Sequence, residues 1–190
     1  MPAKIYPGFF ILFFCACTVI ASADEIYVDV KRQQGNLYEF KLSFLATASV
    51  VPVMDVLTDY EHLHTLNPSI QSSRLLVSDQ PDIPRVEVIS RNCMLFFCKT
   101  LTRVEDVYLV DKQSIKTMLL PEMSNFKEGE VLWTFTPEQA STRVTMQGYI
   151  VPDFWVPPLI GPHTIKKRLR HQLRYAASKV NELANTSPDD

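Results

Sequence analysis

From residue 85 onward the hydrophobic pattern changes period only once, and that single change restricts the folds open to this chain. Short apolar runs at 86–91, 99–110, 114–120, 129–135 and 142–151 are separated by the turn-like sequences VDKQS, PEMSN and TPEQA. Runs of this length between hairpin-length turns predict strands of one antiparallel sheet. After Pro152 a proline-rich stretch, DFWVPPLIGP, leads into residues 163–184. There Ile165, Leu169, Leu173, Ala176, Val180 and Leu183 recur every three or four positions. This is the period of a helix with one buried face. A curved antiparallel sheet closed by that helix buries the apolar face of each.

The earlier part of the chain adds two elements. Residues 38–48 alternate Tyr38, Phe40, Leu42 and Phe44 against Glu39, Lys41 and Ser43, which predicts a strand with one buried face. Residues 52–66 shift to helical spacing, with Pro52 at the start and Asn67-Pro68 at the end. Residues 70–77 predict a further strand, followed by a Pro- and Asp-rich turn at 79–84. Residues 24–36 are partly polar and end in the turn-like QQGN.

The first 23 residues have a different character. Lys4 gives a positive start, residues 9–20 are almost wholly apolar, and Ala21-Ser22-Ala23 ends the segment in small residues. This is the three-zone pattern of a cleavable secretory signal, with an uncleaved anchor as the alternative. The run is short for a bilayer span, which needs roughly 20 apolar residues. Cleavage leaves one domain at 24–185 and a frayed tail at 186–190. The predicted setting is secreted, in a periplasm-like compartment. Lys4 is the only charge lost, so the mature chain has 18 basic and 21 acidic residues, net −3. Such a balance predicts no nucleic-acid partner.

Cys15 and Cys17 leave with the signal, and Cys93 and Cys98 remain. In an exported chain an even pair reads as a disulfide; zinc needs two further ligands, and no His or Cys lies near in sequence. If 86–91 and 99–110 are adjacent hairpin strands, the two cysteines face each other within bridging distance. On one continuous strand they point to opposite faces and cannot bond. Closing so short a loop is worth about 2 kcal/mol of unfolded-state entropy. The loop tip, Met94, Leu95, Phe96 and Phe97, is unusually apolar for an exposed turn. It reads either as a gate or membrane-touching loop, or as a loop folded onto the domain itself.

Three stretches carry a resemblance. LTDYEHLHTLNPSI (57–70), FKEGEVLWTFTP (126–137) and TRVTMQGYIVPDFWVPPLIGPHTIKKRLRHQL (142–173) resemble the START-like, or SRPBCC, superfamily, in its polyketide cyclase and coenzyme Q-binding branch. The resemblance implies an α+β helix-grip fold: a curved antiparallel sheet wrapped around the long C-terminal helix, with an apolar cavity between them. It also implies a hydrophobic ligand such as a lipid, quinone or aromatic polyketide. The signal segment and the Cys93/Cys98 pair depart from the family's usual pattern.

Phe44, Val88, Met118, Trp133, Met146, Leu169 and Leu173 are the candidate pocket residues, subject to a facing parity that a one-residue slip inverts. The alternative is a filled core. The basic run Lys166, Lys167, Arg168, Arg170, His171 and Arg174 lies on the helix face opposite Ile165, Leu169 and Leu173, as a solvated face or a lipid-facing one. No catalytic motif is present; His62 and His64 diverge on a helix and cannot share a metal there. No cofactor and no metal are expected. The leading expectation is a non-enzymatic carrier of a hydrophobic small molecule or lipid, with peripheral membrane contact as a possible adjunct. A cyclase or aromatase using Arg103, Glu105 or Tyr149 is the alternative, and an interaction module with a vestigial pocket a third reading.

Overall fold

A computed structural model describes residues 26–94, 97–156 and 161–186. The signal segment, Leu95, Phe96, Pro157, Pro158 and residues 187–190 of the tail lie outside the described residues. Eight strands form one antiparallel sheet: β1 (Tyr27–Arg32), β2 (Tyr38–Ala46), β3 (Ile70–Leu76), β4 (Arg85–Met94), β5 (Phe97–Asp111), β6 (Ser114–Leu119), β7 (Phe126–Glu138) and β8 (Ser141–Pro152). Their order in the sheet is β1-β2-β8-β7-β6-β5-β4-β3. Every connection but one is a hairpin or short turn between neighbours. The exception is β2 to β3, which crosses to the far edge through α1 (Val50–Thr58). α2 (Pro162–Ala184) follows β8 and packs against β1, β2 and α1. This is the helix-grip arrangement, and the alternating runs produce it because each strand has one apolar face to bury.

Two elements differ from expectation. Val28 and Val30 are buried on β1, so a six-residue strand precedes the QQGN turn. Only two inward residues mark it, too few for an alternation signal. The helix predicted over 52–66 stops at Thr58. Beyond it the Asp59 carboxylate accepts the His62 Nδ1 proton at 2.8 and 2.9 Å, which fixes a turn in place of another helical turn. That contact also raises the His62 imidazolium's pKa above its ordinary value. A short 3-10 turn, Leu63–Thr65, then carries the chain to Leu66, which is buried. His62 and His64 are therefore not on one helix; their rings lie 6.1 Å apart.

Cys93 and Cys98 are direct partners across the β4–β5 ladder and are joined by a disulfide. The hairpin reading thus holds. The ladder continues one pair past them, to Met94 and Phe97. Met94 and Phe97, predicted as loop residues, are thus strand ends; Leu95 and Phe96 of the predicted loop lie outside the described residues.

The core is thickest under the C-terminal half of α2. Leu173, Ala177, Val180 and Ala184 form one buried stripe, and Phe44, Val53, Phe135 and Val144 are fully enclosed. The N-terminal half of α2 packs differently.

Candidate functional site: a cavity between sheet and helix

An apolar cavity of about 520 Å³ lies between the concave face of the sheet and the N-terminal half of α2. This falls within the roughly 300–1,000 Å³ of small-molecule sites. Six of the seven candidate pocket residues line it: Phe44 on β2, Val88 on β4, Trp133 on β7, Met146 on β8, and Leu169 and Leu173 on α2. Cross-strand register explains why they converge. Leu42 pairs with Met146, Met146 with Trp133, and Trp133 with Ile115, so one row of side chains crosses four strands on the inner face.

Met118 is the exception. Its neighbours Thr117 and Leu119 are buried, whereas Met118 is 41% exposed on the outer face opposite Glu130. On β6 the inner row is Ile115 and Thr117. In SIKTML both parities carry apolar residues, so alternation did not decide between them.

The cavity is apolar but not uniformly so. Arg103 and Glu105, two residues apart on β5, both face it, and Arg103 Nε lies 3.2 Å from Glu105 Oε2. The Nε proton is not directed at that oxygen, so Nε is buried without a hydrogen-bond acceptor. Tyr60 lines the cavity as well; burial, and then the Glu105 charge, push its phenol up to about 12. Tyr60 therefore stays protonated, a donor, throughout the physiological range. Tyr38 Oη and Thr117 Oγ1 are two further buried cavity-wall atoms without partners. Tyr149 also lines the cavity. The sequence pattern missed Tyr38, Tyr60 and Thr117; their inward positions follow from strand parity and from the turn after α1.

Polar contacts tie the cavity-covering half of α2 to the sheet. Lys166 Nζ is 2.6 Å from Asp29 Oδ1 on β1, and this pairing lowers the Asp29 carboxyl's pKa. Arg168 donates to the Cys93 carbonyl beside the disulfide. Gln172 Nε2 donates to Ser69 Oγ at 2.6 Å. The basic run is therefore divided: Lys166 and Arg168 turn toward the domain, whereas Lys167, Arg170, His171 and Arg174 are exposed. At the rim, Lys99 Nζ sits 4.2 Å from the centre of the Phe154 ring, and the next residue, Trp155, is 69% exposed. This contact brings the segment after β8 beside the base of the disulfide hairpin.

Eight antiparallel strands curved around a C-terminal helix, with an apolar cavity between them, define a START-like helix-grip protein. The family described as polyketide cyclase / dehydrase and lipid transport matches residues 38–181, and the chain belongs to it. Among solved structures, a START superfamily protein from Mycobacterium smegmatis is similar at 18% identity and a TM-score of 0.61, over 75% of this chain and 97% of that one. A STAR-related lipid transfer protein from Xanthomonas axonopodis is similar at 16% identity and a TM-score of 0.61, over 83% and 99%. The Zhui aromatase/cyclase from Streptomyces is similar at 14% identity and a TM-score of 0.58, over 78% and 94%. At these identities the likeness is one of fold. No curated protein is similar enough in sequence to count as a relative.

Proposed function

We propose that this protein is an exported, non-enzymatic carrier of a hydrophobic ligand, such as a lipid or isoprenoid quinone, in a periplasm-like compartment. The observation that carries this reading is the apolar cavity of about 520 Å³ under α2. An apolar molecule crossing water between membranes needs a dry container, and burial stabilises it by roughly 25 cal/mol per Å². The signal-like segment at 1–23 and the disulfide at Cys93–Cys98 support an oxidising destination. A second reading, a cyclase or aromatase on the same fold, draws support from Arg103, Glu105 and Tyr149 at the cavity wall.

The test is mass spectrometry of organic extracts from protein purified out of its native compartment. It is run beside Val131→Trp/Ala176→Trp, which fills the cavity from β7 and α2. Wild type is expected to carry a near-stoichiometric lipid and the filled variant at least tenfold less, with a melting temperature within a few degrees of wild type. An empty wild-type protein that turns over a polyketide-like substrate would overturn carriage.

Loading and release from a bilayer would use the rim, where exposed Trp155 stands beside the hairpin base. Indole rings favour the membrane–water interface. In co-sedimentation with anionic liposomes, Trp155→Ser is expected to reduce the bound fraction several-fold. Unchanged sedimentation sinks the membrane-contact reading and leaves the cavity untouched.

A further inference from the structure

The disulfide joins two strands at the rim of the cavity but leaves its sulfurs on the outside of the sheet. We infer that Cys93–Cys98 is a thiol-exchange latch: an external dithiol that reduces it loosens the N-terminal half of α2 and releases the ligand. The inference rests on the cavity being a ligand site.

The position of the bond follows from strand parity. Asn92 and Lys99, the cross-strand pair next to the cysteines, both line the cavity. Side chains alternate faces along a strand, so Cys93 and Cys98 point to the convex side. There Cys98 is exposed and Cys93 half-buried. A thiolate can therefore reach Cys98 Sγ without entering the cavity. The bond also adds little to the global fold. Its cysteines are only five apart in sequence, and disulfide stabilisation grows with the length of loop closed.

What the bond holds is the attachment of the roof. The Arg91 N–H donates to the Ser69 carbonyl at 2.8 Å, on the β3 side of β4. Backbone groups two residues apart on a strand point the same way, so those of Cys93 also turn away from β5. No ladder hydrogen bond then joins Cys93 to Cys98, and the disulfide is their direct link. The Cys93 carbonyl, held in that orientation, accepts from Arg168 on α2. One helical turn on, Gln172 Nε2 donates to Ser69 Oγ at 2.6 Å. At the other edge of the sheet Lys166 pairs with Asp29 on β1. The roof is thus a strap fixed at both sides, and one fixing is a carbonyl positioned by a reducible bond. Lys99 lies over the Phe154 ring, so the same hairpin end also steadies the segment after β8.

The exchange balances with a dithiol donor of the thioredoxin-like class. One donor thiolate attacks Cys98 Sγ; the Cys93–Cys98 bond breaks, and Cys93 leaves as a thiolate that takes up a proton. The donor's second thiol, having lost its proton, attacks the donor sulfur of the mixed disulfide and releases Cys98, which is protonated in turn. Two electrons and two protons pass to the protein, and the donor ends as a disulfide.

The test uses the full chain, Nile red and a buffer of reduced and oxidised dithiothreitol, with the disulfide fraction read by alkylation and mass spectrometry. Reduction is expected to weaken Nile red binding at least about fivefold, the size of a modest coupling between two sites. By linkage, bound dye is expected to make the disulfide harder to reduce by the same factor. Hydrogen exchange is expected to quicken at residues 162–172 and to stay unchanged at 177–184. Arg168→Met, which removes the tie to the Cys93 carbonyl, is expected to bind the dye as weakly as reduced wild type in both redox states. Cys93→Ser/Cys98→Ser is expected to match reduced wild type and to ignore dithiothreitol. Equal dye affinity in the two states of wild type overturns the latch and leaves the carrier reading intact. So does a disulfide that resists excess dithiothreitol, a reduced chain without a melting transition, or an Arg168→Met chain that still responds to reduction. Failure of oxidised wild type to bind Nile red overturns the cavity reading and the latch together.

Discussion

Gly148→Ala is expected to destabilise the domain by about 3 kcal/mol or more, a large share of the 5–15 kcal/mol that holds a typical domain folded. A Cβ built at Gly148 falls 2.0 Å from the Glu130 carbonyl oxygen and 2.8 Å from the Val131 α-carbon. Both atoms are backbone of the neighbouring strand, so no side chain can rotate away; β7 and β8 would have to separate. The two strands are paired along nearly their whole length, and Gly148 is also paired with Phe40 on β2. Separation there disturbs three strands at once. Gly129 provides the control. A Cβ at Gly129 meets only side-chain atoms of Leu119 and Ile150, at 3.4–3.5 Å, so Gly129→Ala is expected to change stability by less than about 0.5 kcal/mol. Denaturant melts of the two variants decide the matter. A wild-type midpoint for Gly148→Ala would mean that β7 and β8 lie farther apart than described. Close approach at a strand glycine is a recurrent way to bend a sheet tightly, and here it sits in the wall that encloses the cavity.

How far the sequence discloses this molecule depends on how many residues report each feature. Strand alternation is reported many times over, so β2 and β4 to β8 are legible, and α2 is legible from six apolar positions at helical spacing. β1 is reported only by Val28 and Val30, and it was missed. The end of α1 depends on a single local contest between helix propagation and the Asp59–His62 contact. Apolar periodicity continues through Leu63 and Leu66 because these residues remain inward after the helix has stopped. The disulfide was legible because two cysteines in a hairpin must either face each other or diverge. Facing parity on β6 was not legible, since Ile115, Met118 and Leu119 put apolar side chains on both sides. One outward methionine thereby stood in for an inward threonine.

The polar side of the cavity was the least legible feature. Arg103, Glu105 and Tyr149 enter the sequence reading only as polar groups for the cyclase alternative, and Thr117 looks like a filler between Lys116 and Met118. Only the register of β4, β5 and β6 shows that Arg103, Glu105 and Thr117 face inward, because inner and outer faces alternate along every strand. Sequence periodicity identifies a buried face; it does not say whether that face meets another side chain or a void.

That distinction gives the most demanding prediction for α2. Leu169 and Val180 occupy equivalent places in the repeat, yet Val180 is fully buried in the packed core and Leu169 is half-buried at the cavity wall. Val180→Asp places an unpaired carboxylate among apolar neighbours, and is expected to cost more than about 4 kcal/mol and leave little folded protein. Leu169→Asp faces a cavity whose wall already carries Arg103, Glu105 and Tyr60. It is expected to cost about 1 kcal/mol, mostly from lower helix propensity and lost apolar contact. Thermal melts read the stability difference, and Nile red binding reads the function. Leu169→Asp should melt within several degrees of wild type while binding the dye at least tenfold more weakly. If both variants unfold alike, the N-terminal half of α2 is packed as tightly as the rest, and the cavity is a filled core. If Leu169→Asp stays folded and loses the dye, the two halves of one helix have different work: the C-terminal half anchors the fold, and the N-terminal half roofs the cavity.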